Sequence, residues 1–372
     1  MKSRRTGAAL ATVAALLVAT GLAVPAQAAG CFGKQATIVG TNTKERIRGT
    51  SGRDVIDARG GNDNVRSGGG NDIICAGSGD DVVEAGPGRD VVDGQLGLDL
   101  LLGGPGRDRL IGGGRTDILD GGLGNDDLNA GQALDLLVGL GGNDRMVGGS
   151  GSDLLLPGSG NDRVDGGSEF DIVSFFLSPT GVTVDLLAGT AVGEGTDVLI
   201  GIEDIEGTPF NDVLGGNPLE NLVWPHLGDD LVNGGDGNDI IIFEFSLAPV
   251  TVDLTANTST GEGNDTLSSF EGSVGSFFGD SLSGNAFDNF LFGFEGDDTI
   301  NGLDGDDLIV GSGGTDTADG GNHVTGDRCI ETEVNTNCEL FSATAPLNQS
   351  PSPGTGRLAA ARELVARLRA TR

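Results

Sequence analysis

The 372-residue sequence contains no tyrosine, one tryptophan and two histidines, and aromatic residues make up only 4% of it. Large aromatic side chains dominate ordinary globular cores, so this chain needs another source of folding free energy. Basic residues are scarce too: 22 Lys and Arg stand against 55 Asp and Glu, for a net charge of −33. That balance makes nucleic acid and anionic membranes poor partners, and it drives the chain to expand unless cations neutralise it. The histidines, His226 and His323, stand in unrelated contexts, so the H-E-x-x-H signature of a zinc protease is absent. No G-x-S-x-G pentapeptide of a serine hydrolase exists either.

What the sequence has in excess is glycine, 68 residues of it, and aspartate in strict register. From Asp54 through Asp63, Asp72, Asp81, Asp90, Asp99, Asp108, Asp117, Asp126, Asp135, Asp144, Asp153, Asp162 and Asp171, an aspartate recurs every nine residues. Gly stands two positions earlier in all but three cases, where Arg115, Ala133 and Glu169 replace it. Two positions later stands an aliphatic residue or Met, from Ile56 to Val173. A fixed short period of this kind is the signature of a solenoid, and the nonapeptide G-G-x-G-x-D-x-U-x is a known calcium-binding form of it. The x-U-x triplet makes a short strand with one inward side chain. The glycines make the turn, where positive φ is available and carbonyls are free to point inward. Carbonyls and carboxylates together form the hard oxygen environment that Ca²⁺ takes.

Gly139-Leu-Gly-Gly-Asn-Asp144-Arg-Met-Val and Gly121-Gly-Leu-Gly-Asn-Asp126-Asp-Leu-Asn resemble the RTX, or haemolysin-type, calcium-binding repeat. The resemblance covers most of residues 40–320 and implies an all-β, right-handed parallel β-roll. In such a roll alternate repeats lie on two facing sheets, and Ca²⁺ sits between the turns of successive coils along both edges. The carboxylates expected to bind it are Asp54, Asp63, Asp72, Asp81, Asp90, Asp99, Asp108, Asp126, Asp144, Asp153 and Asp162 in a first block at 49–173. A second block at 212–241 adds Asp212, Asp230 and Asp239, and a third at 280–320 adds Asp280, Asp298, Asp307 and Asp316. Asn221 and Asn289 occupy Asp slots as neutral, weaker donors.

Residues 1–28 read as a secretion signal: Lys2, Arg4 and Arg5 precede the apolar stretch from Ala8 to Val24, and Ala26-Gln27-Ala28 supplies the cleavage site. Its removal takes away three positive charges and no negative ones, moving the net charge from −33 to −36. No transmembrane segment is expected. An even cysteine count in an exported chain argues for disulfides, with Cys31–Cys75 and Cys329–Cys338 as the expected pairs. Residues 36–48 continue the register backwards, with Ile38 and Ile47 in the apolar slot and Ala36 and Glu45 in the Asp slots, and read as ion-free turns of a cap at 29–48.

The two edges of the first block differ. The row from Asp54 to Asp162 keeps every glycine, whereas the row from Asp63 to Asp171 contains all three exceptions and is expected to have gaps around Asp117, Asp135 and Asp171. Residues flanking U should face solvent, yet one sheet carries Leu100, Leu102, Ile118, Leu136, Val138, Leu154, Leu156 and Ile172 there. Such a face is a docking surface. Its occupant is residues 174–210 or the C-terminal helix of the same chain, a second copy, or a protein partner.

Segments 174–211 and 242–279 are copies of one another at an offset of 68, and the alternation in Val182-Thr-Val-Asp-Leu186 suggests strands standing outside the narrow roll. Glu194, Asp197, Glu262 and Asp265 are candidate additional ligands. Residues 321–340 read as a disulfide-closed cap, and 341–372 as a linker followed by a basic tail. Trp224-Pro225-His226 replaces the usual glycines of one turn and reads as a kink between rolls. The functional expectation is a secreted, non-catalytic, calcium-binding protein that folds on binding extracellular Ca²⁺. Its role would be structural, adhesive or matrix-forming, with cell-wall association open. The alternative is a calcium-stabilised extracellular hydrolase or an accessory domain of one.

Overall fold

The computed structural model describes residues 30–322 and 326–340. The signal segment at 1–28, His323, and the linker and tail at 341–372 lie outside the described residues. All described secondary structure is strand, in pieces of two to six residues. The nine-residue register dictates this directly: each x-U-x triplet forms a strand whose U side chain faces inward. Ile56, Val65, Leu101, Leu110, Met146 and Val173 all have 0% exposure, although each belongs to a triplet with only one inward residue.

Successive triplets alternate between two walls, so each strand pairs in parallel with the one eighteen residues on. Leu101 pairs with Leu119 on one wall and Leu110 with Leu128 on the other. The result is a parallel β-solenoid, which on one wall runs from Arg46–Arg48 to Glu339–Leu340 as sixteen strands. Ile38 and Ile47 open the two walls opposite Ile56 and Val65, as the backward register requires. Both expected disulfides are formed. Cys31–Cys75 pins the N-terminal segment to the outer face beside Val55 and Ile73, and Cys329–Cys338 closes the last rungs.

The two inserted segments lie elsewhere than expected. They do not stand outside the roll; they widen one of its walls. Thr196–Ile200 takes the next rung beside Arg163–Ser168, with Leu199 opposite Val164. Thr190–Val192 and Thr183–Asp185 follow it antiparallel, and Thr183–Asp185 then pairs in parallel with Val213–Gly215. The copy repeats this with Asn264–Ser268, Thr258–Thr260 and Thr251–Asp253. Alternation in a sequence announces a strand and its inward face, but not which strand it will lie beside.

The widened wall therefore holds twenty strands against sixteen on the other. At about 4.8 Å per strand, four extra strands make it about 19 Å longer. The sixteen-stranded wall is the shorter of the two. The outer face of that shorter wall is where the apolar residues noted above lie. Leu136, Leu154, Leu156 and Ile172 are buried in one cluster with Leu222, Trp224, Ile240, Ile242, Val274 and Phe290 of later strands. These residues form one continuous apolar stripe along the neighbouring rungs of the wall, and its middle is closed off from solvent. Leu100, Leu102 and Ile118, toward one end, stay half-buried. The expected docking face is thus largely occupied from within the chain.

One rung breaks the core pattern. Ser273 takes the U slot between Ile241 and Leu291, where the first copy has Ile205, and it is fully buried. Its hydroxyl has no hydrogen-bond partner among the described residues. A buried, unsatisfied hydroxyl costs about 1–3 kcal/mol. Ser273→Val is expected to raise stability by about that amount, read as a higher urea midpoint with an unchanged m-value in saturating calcium.

Candidate metal centre

The turns stack as regularly as the strands, and the aspartates form continuous hydrogen-bonded ladders along both edges. On one edge the backbone N–H of Asp54 donates to Asp72 Oδ1 at 2.8 Å. The pattern repeats through Asp90, Asp108, Asp126, Asp144 and Asp162 at 2.7–2.8 Å. On the other edge Asp63, Asp81, Asp99, Asp117, Asp135, Asp153 and Asp171 are linked in the same way at 2.6–2.8 Å. In the later blocks Asp212 N–H donates to Asp230, Asn221 to Asp239, Asp280 to Asp298, Asn289 to Asp307 and Asp298 to Asp316.

The ladders also pass through carboxylates that the nine-residue count missed. Asp162 N–H donates to Asp197, Asp171 to Glu203, Asp230 to Asp265 and Asp239 to Glu271. At the far end Asp307 meets Asp327 and Asp316 meets Glu333. The signal for the first four lay in the copied segments, where Asp197/Asp265 and Glu203/Glu271 match at the 68-residue offset. Glu194, by contrast, is exposed and offers a backbone carbonyl, to Gly160 N–H.

One oxygen of each ladder carboxylate is thus used. The other is the chemically notable one. Oδ2 is buried without a hydrogen-bond partner among the described residues in Asp63, Asp72, Asp81, Asp90, Asp99, Asp108, Asp126, Asp144, Asp153 and Asp162. The same holds for Asp230, Asp298, Asp307 and Asp316, and also for Asp117, Asp135 and Asp171. A buried carboxylate oxygen left unpaired is strongly unfavourable unless a cation meets it.

Burial accordingly pushes these carboxyls up. Desolvation outweighs the hydrogen bond from the preceding rung and holds Asp81, Asp90, Asp117 and Asp144 at about 7. Asp99, Asp108, Asp126 and Asp162 are raised to about 6, and Asp135, Asp153, Asp171 and Asp230 to about 8. Neighbouring carboxylates on adjacent rungs push most of them in the same direction.

The glycine five residues before an aspartate completes the site. A Cβ built on Gly94 would lie 2.5 Å from Asp99 Oδ2 and 2.8 Å from the carbonyl oxygen of Gly112. The missing side chain therefore leaves a small cradle edged by a carboxylate and by a carbonyl of the next coil. Gly124, two before Asp126, packs so tightly on the Gly106 carbonyl that no side chain fits between them. An all-oxygen, carboxylate-rich donor set of this kind fits a hard divalent cation such as Ca²⁺ and is unlike the nitrogen and sulfur sets of zinc sites.

The gaps expected at Asp117, Asp135 and Asp171 do not appear in the carboxylate geometry. Arg115, Ala133 and Glu169 adopt φ of 75°, 82° and 81°, the left-handed turn that glycine would make. The cost, about 1–2 kcal/mol each, falls on the backbone and leaves the carboxylates in line. Asp54, Asp212 and Asp280 differ from the rest: their Oδ2 atoms accept N–H groups of Thr50, Thr208 and Ser276.

Trp224 and His226 are both buried, with Trp224 on the rung next to Glu206. Ser174 Oγ donates to Glu206 Oε2, and His226 Nε2 lies 3.0 Å from Glu206 Oε1. Hydroxyl and imidazole thus both address the carboxylate rather than each other, which is not the nucleophile–base pairing of a serine hydrolase. No described helix is long and apolar enough to cross a membrane.

No curated protein matches the chain. A family model does, through residues 39–74, 76–101, 102–137, 138–173, 227–244, 274–309 and 292–322, which together make up more than half of the sequence. Those segments coincide with the stacked turns described above, and repeats of this kind bind multiple calcium ions. The chain belongs to the RTX calcium-binding nonapeptide repeat family.

Proposed function

We propose that this is an exported protein whose roll folds when calcium fills the two edges, and that its role is structural, adhesive or matrix-forming. The supporting observation is the row of buried Oδ2 atoms without partners on both edges. The proposed ligands are the carboxylates carrying them, together with Asp239, which holds the same place in its ladder, and carbonyls of the adjacent coil. Bound calcium supplies the positive charge that lets ionised carboxylates stay buried a few ångströms apart. The chain does the rest: it presents the oxygens in register, excludes water from U, and spaces the rungs. Two disulfides, an acidic net charge and an N-terminal segment with secretion-signal features support an exported location. Millimolar extracellular calcium would then select the folded state by mass action.

Far-UV circular dichroism during a calcium titration, with EGTA and magnesium controls, tests this reading. A cooperative coil-to-β transition produced by calcium and not by equal magnesium is the expected result. A chain already fully β-structured in EGTA and indifferent to calcium would overturn it.

A further inference from the structure

Among the described residues, six turns are built differently from the others, and they fall in three pairs. Each pair opens one block of the roll, one turn on each edge. In the first pair Thr41 N–H donates to Glu45 Oε1 at 2.5 Å and Thr50 N–H to Asp54 Oδ2 at 2.7 Å. In the second, Thr208 N–H donates to Asp212 Oδ2 at 2.6 Å and Asn217 N–H to Asn221 Oδ1 at 2.8 Å. In the third, Ser276 N–H donates to Asp280 Oδ2 and Asn285 N–H to Asn289 Oδ1 at 2.7 Å.

The side chain of the same residue closes the turn from within. Its oxygen accepts the N–H two residues on: Thr41 from Thr43, Thr50 from Gly52, Thr208 from Phe210, Asn217 from Leu219, Ser276 from Phe278 and Asn285 from Phe287. In the three aspartate cases the hydroxyl also donates to the carboxylate, at 2.9 Å. Asn221 and Asn289 use their amides to donate to the Glu203 and Glu271 carbonyls. None of these six turns carries the left-handed residue found four before the other aspartates of the nine-residue register, such as Gly68, Gly104 or Leu140.

Resting on the calcium reading above, we infer that these six turns hold no calcium and are closed by the chain's own hydrogen bonds, so that each block starts from an ion-independent pair. The position in the stack supplies the reason. An ion between successive turns needs oxygens from both, and the first turn of a block has no equivalent turn before it: Asp212 Oδ1 receives Val182 N–H, and Asp280 Oδ1 receives Val250 N–H, each from an inserted hairpin. A hydroxyl or amide hydrogen takes the place of the cation. The same lack of a preceding turn removes the close approach that requires glycine, and Phe210, Leu219, Phe278 and Phe287 occupy that slot with large exposed side chains. Between these pairs, the aspartates from Asp63 to Asp171 and Asp230, Asp298, Asp307 and Asp316 have no such hydroxyl or amide on Oδ2 and remain dependent on the ion.

Counting bound calcium on the full chain, by equilibrium dialysis at saturating calcium, tests the inference. Asp212→Asn with Asp280→Asn is expected to bind as many ions as the unaltered protein, and Asn221→Asp with Asn289→Asp to gain none. Asp108→Asn with Asp126→Asn, in mid-block, is expected to lose bound calcium. Asn already serves at 221 and 289, so the turn accommodates it, and circular dichroism in calcium checks that each variant is folded. A loss of ions from the Asp212/Asp280 variant equal to that of the mid-block variant would overturn the inference, as would a gain in the Asn221/Asn289 variant. Absence of calcium from the unaltered protein would instead overturn the calcium reading itself.

Discussion

In EGTA at pH 8 the roll is expected to be unfolded, and lowering the pH to 5 without adding any cation is expected to drive it toward the β-structured state. The sign follows from the carboxylates. Their ordinary value is 3.8, and in the roll Asp81, Asp90, Asp144 and Asp298 are raised to about 7 and Asp135, Asp153 and Asp171 to about 8. A group whose value is raised on folding binds its proton more tightly in the folded chain. Stability is therefore present below about pH 4 and is lost as the pH rises from there through 6 to 8. Raising one carboxyl by a single pH unit corresponds to about 1.4 kcal/mol, and more than a dozen carboxyls are raised together. All of these shifts act in the same direction, against the folded chain as the pH rises.

Protons and calcium thus compete for the same oxygens. Calcium binding near pH 7 should release protons, and calcium affinity should rise between pH 6 and 8. Circular dichroism against pH in EGTA is the check. A chain that gains no β-structure on acidification, while folding normally in calcium, would mean that the carboxylates are not what holds the apo chain apart.

The solenoid and its register were legible in the sequence because each rests on local repetition, and both disulfides followed from four cysteines placed in pairs toward the two ends. Once Asp54 to Asp171 fix a period of nine, the pairing of Leu101 with Leu119 follows from alternation between two walls. The placement of the inserts was not legible, because Thr183–Asp185 pairs with Val213–Gly215 only after the chain has reversed twice, and no spacing records that. The block-opening turns could have been found. Thr50, Thr208 and Ser276 stand four residues before an aspartate where the other repeats have mostly glycine, and Asn217 and Asn285 do so before an asparagine. Attention to the aspartate alone treats Asp54, Asp212 and Asp280 as equal to their neighbours; the difference lies in the residue that faces them.

Leu154→Ala is expected to cost about 2–5 kcal/mol, the penalty of a core leucine, although Leu154 flanks the inward residue and points away from the roll's interior. In a straight solenoid such a position meets water on one side, and truncating it has little effect. Here Leu154 has 0% exposure and belongs to the cluster that includes Trp224, Ile242, Val274 and Phe290, from strands far along the chain. The cost of Leu154→Ala therefore measures how completely this face is closed, and Leu100→Ala, on the same face but half-buried, supplies the comparison. Urea unfolding of both variants in saturating calcium should give a clearly larger loss for Leu154. Equal and small losses would mean that the outer face of the shorter wall is open to solvent at Leu154. The apolar face would then again be a surface for a partner.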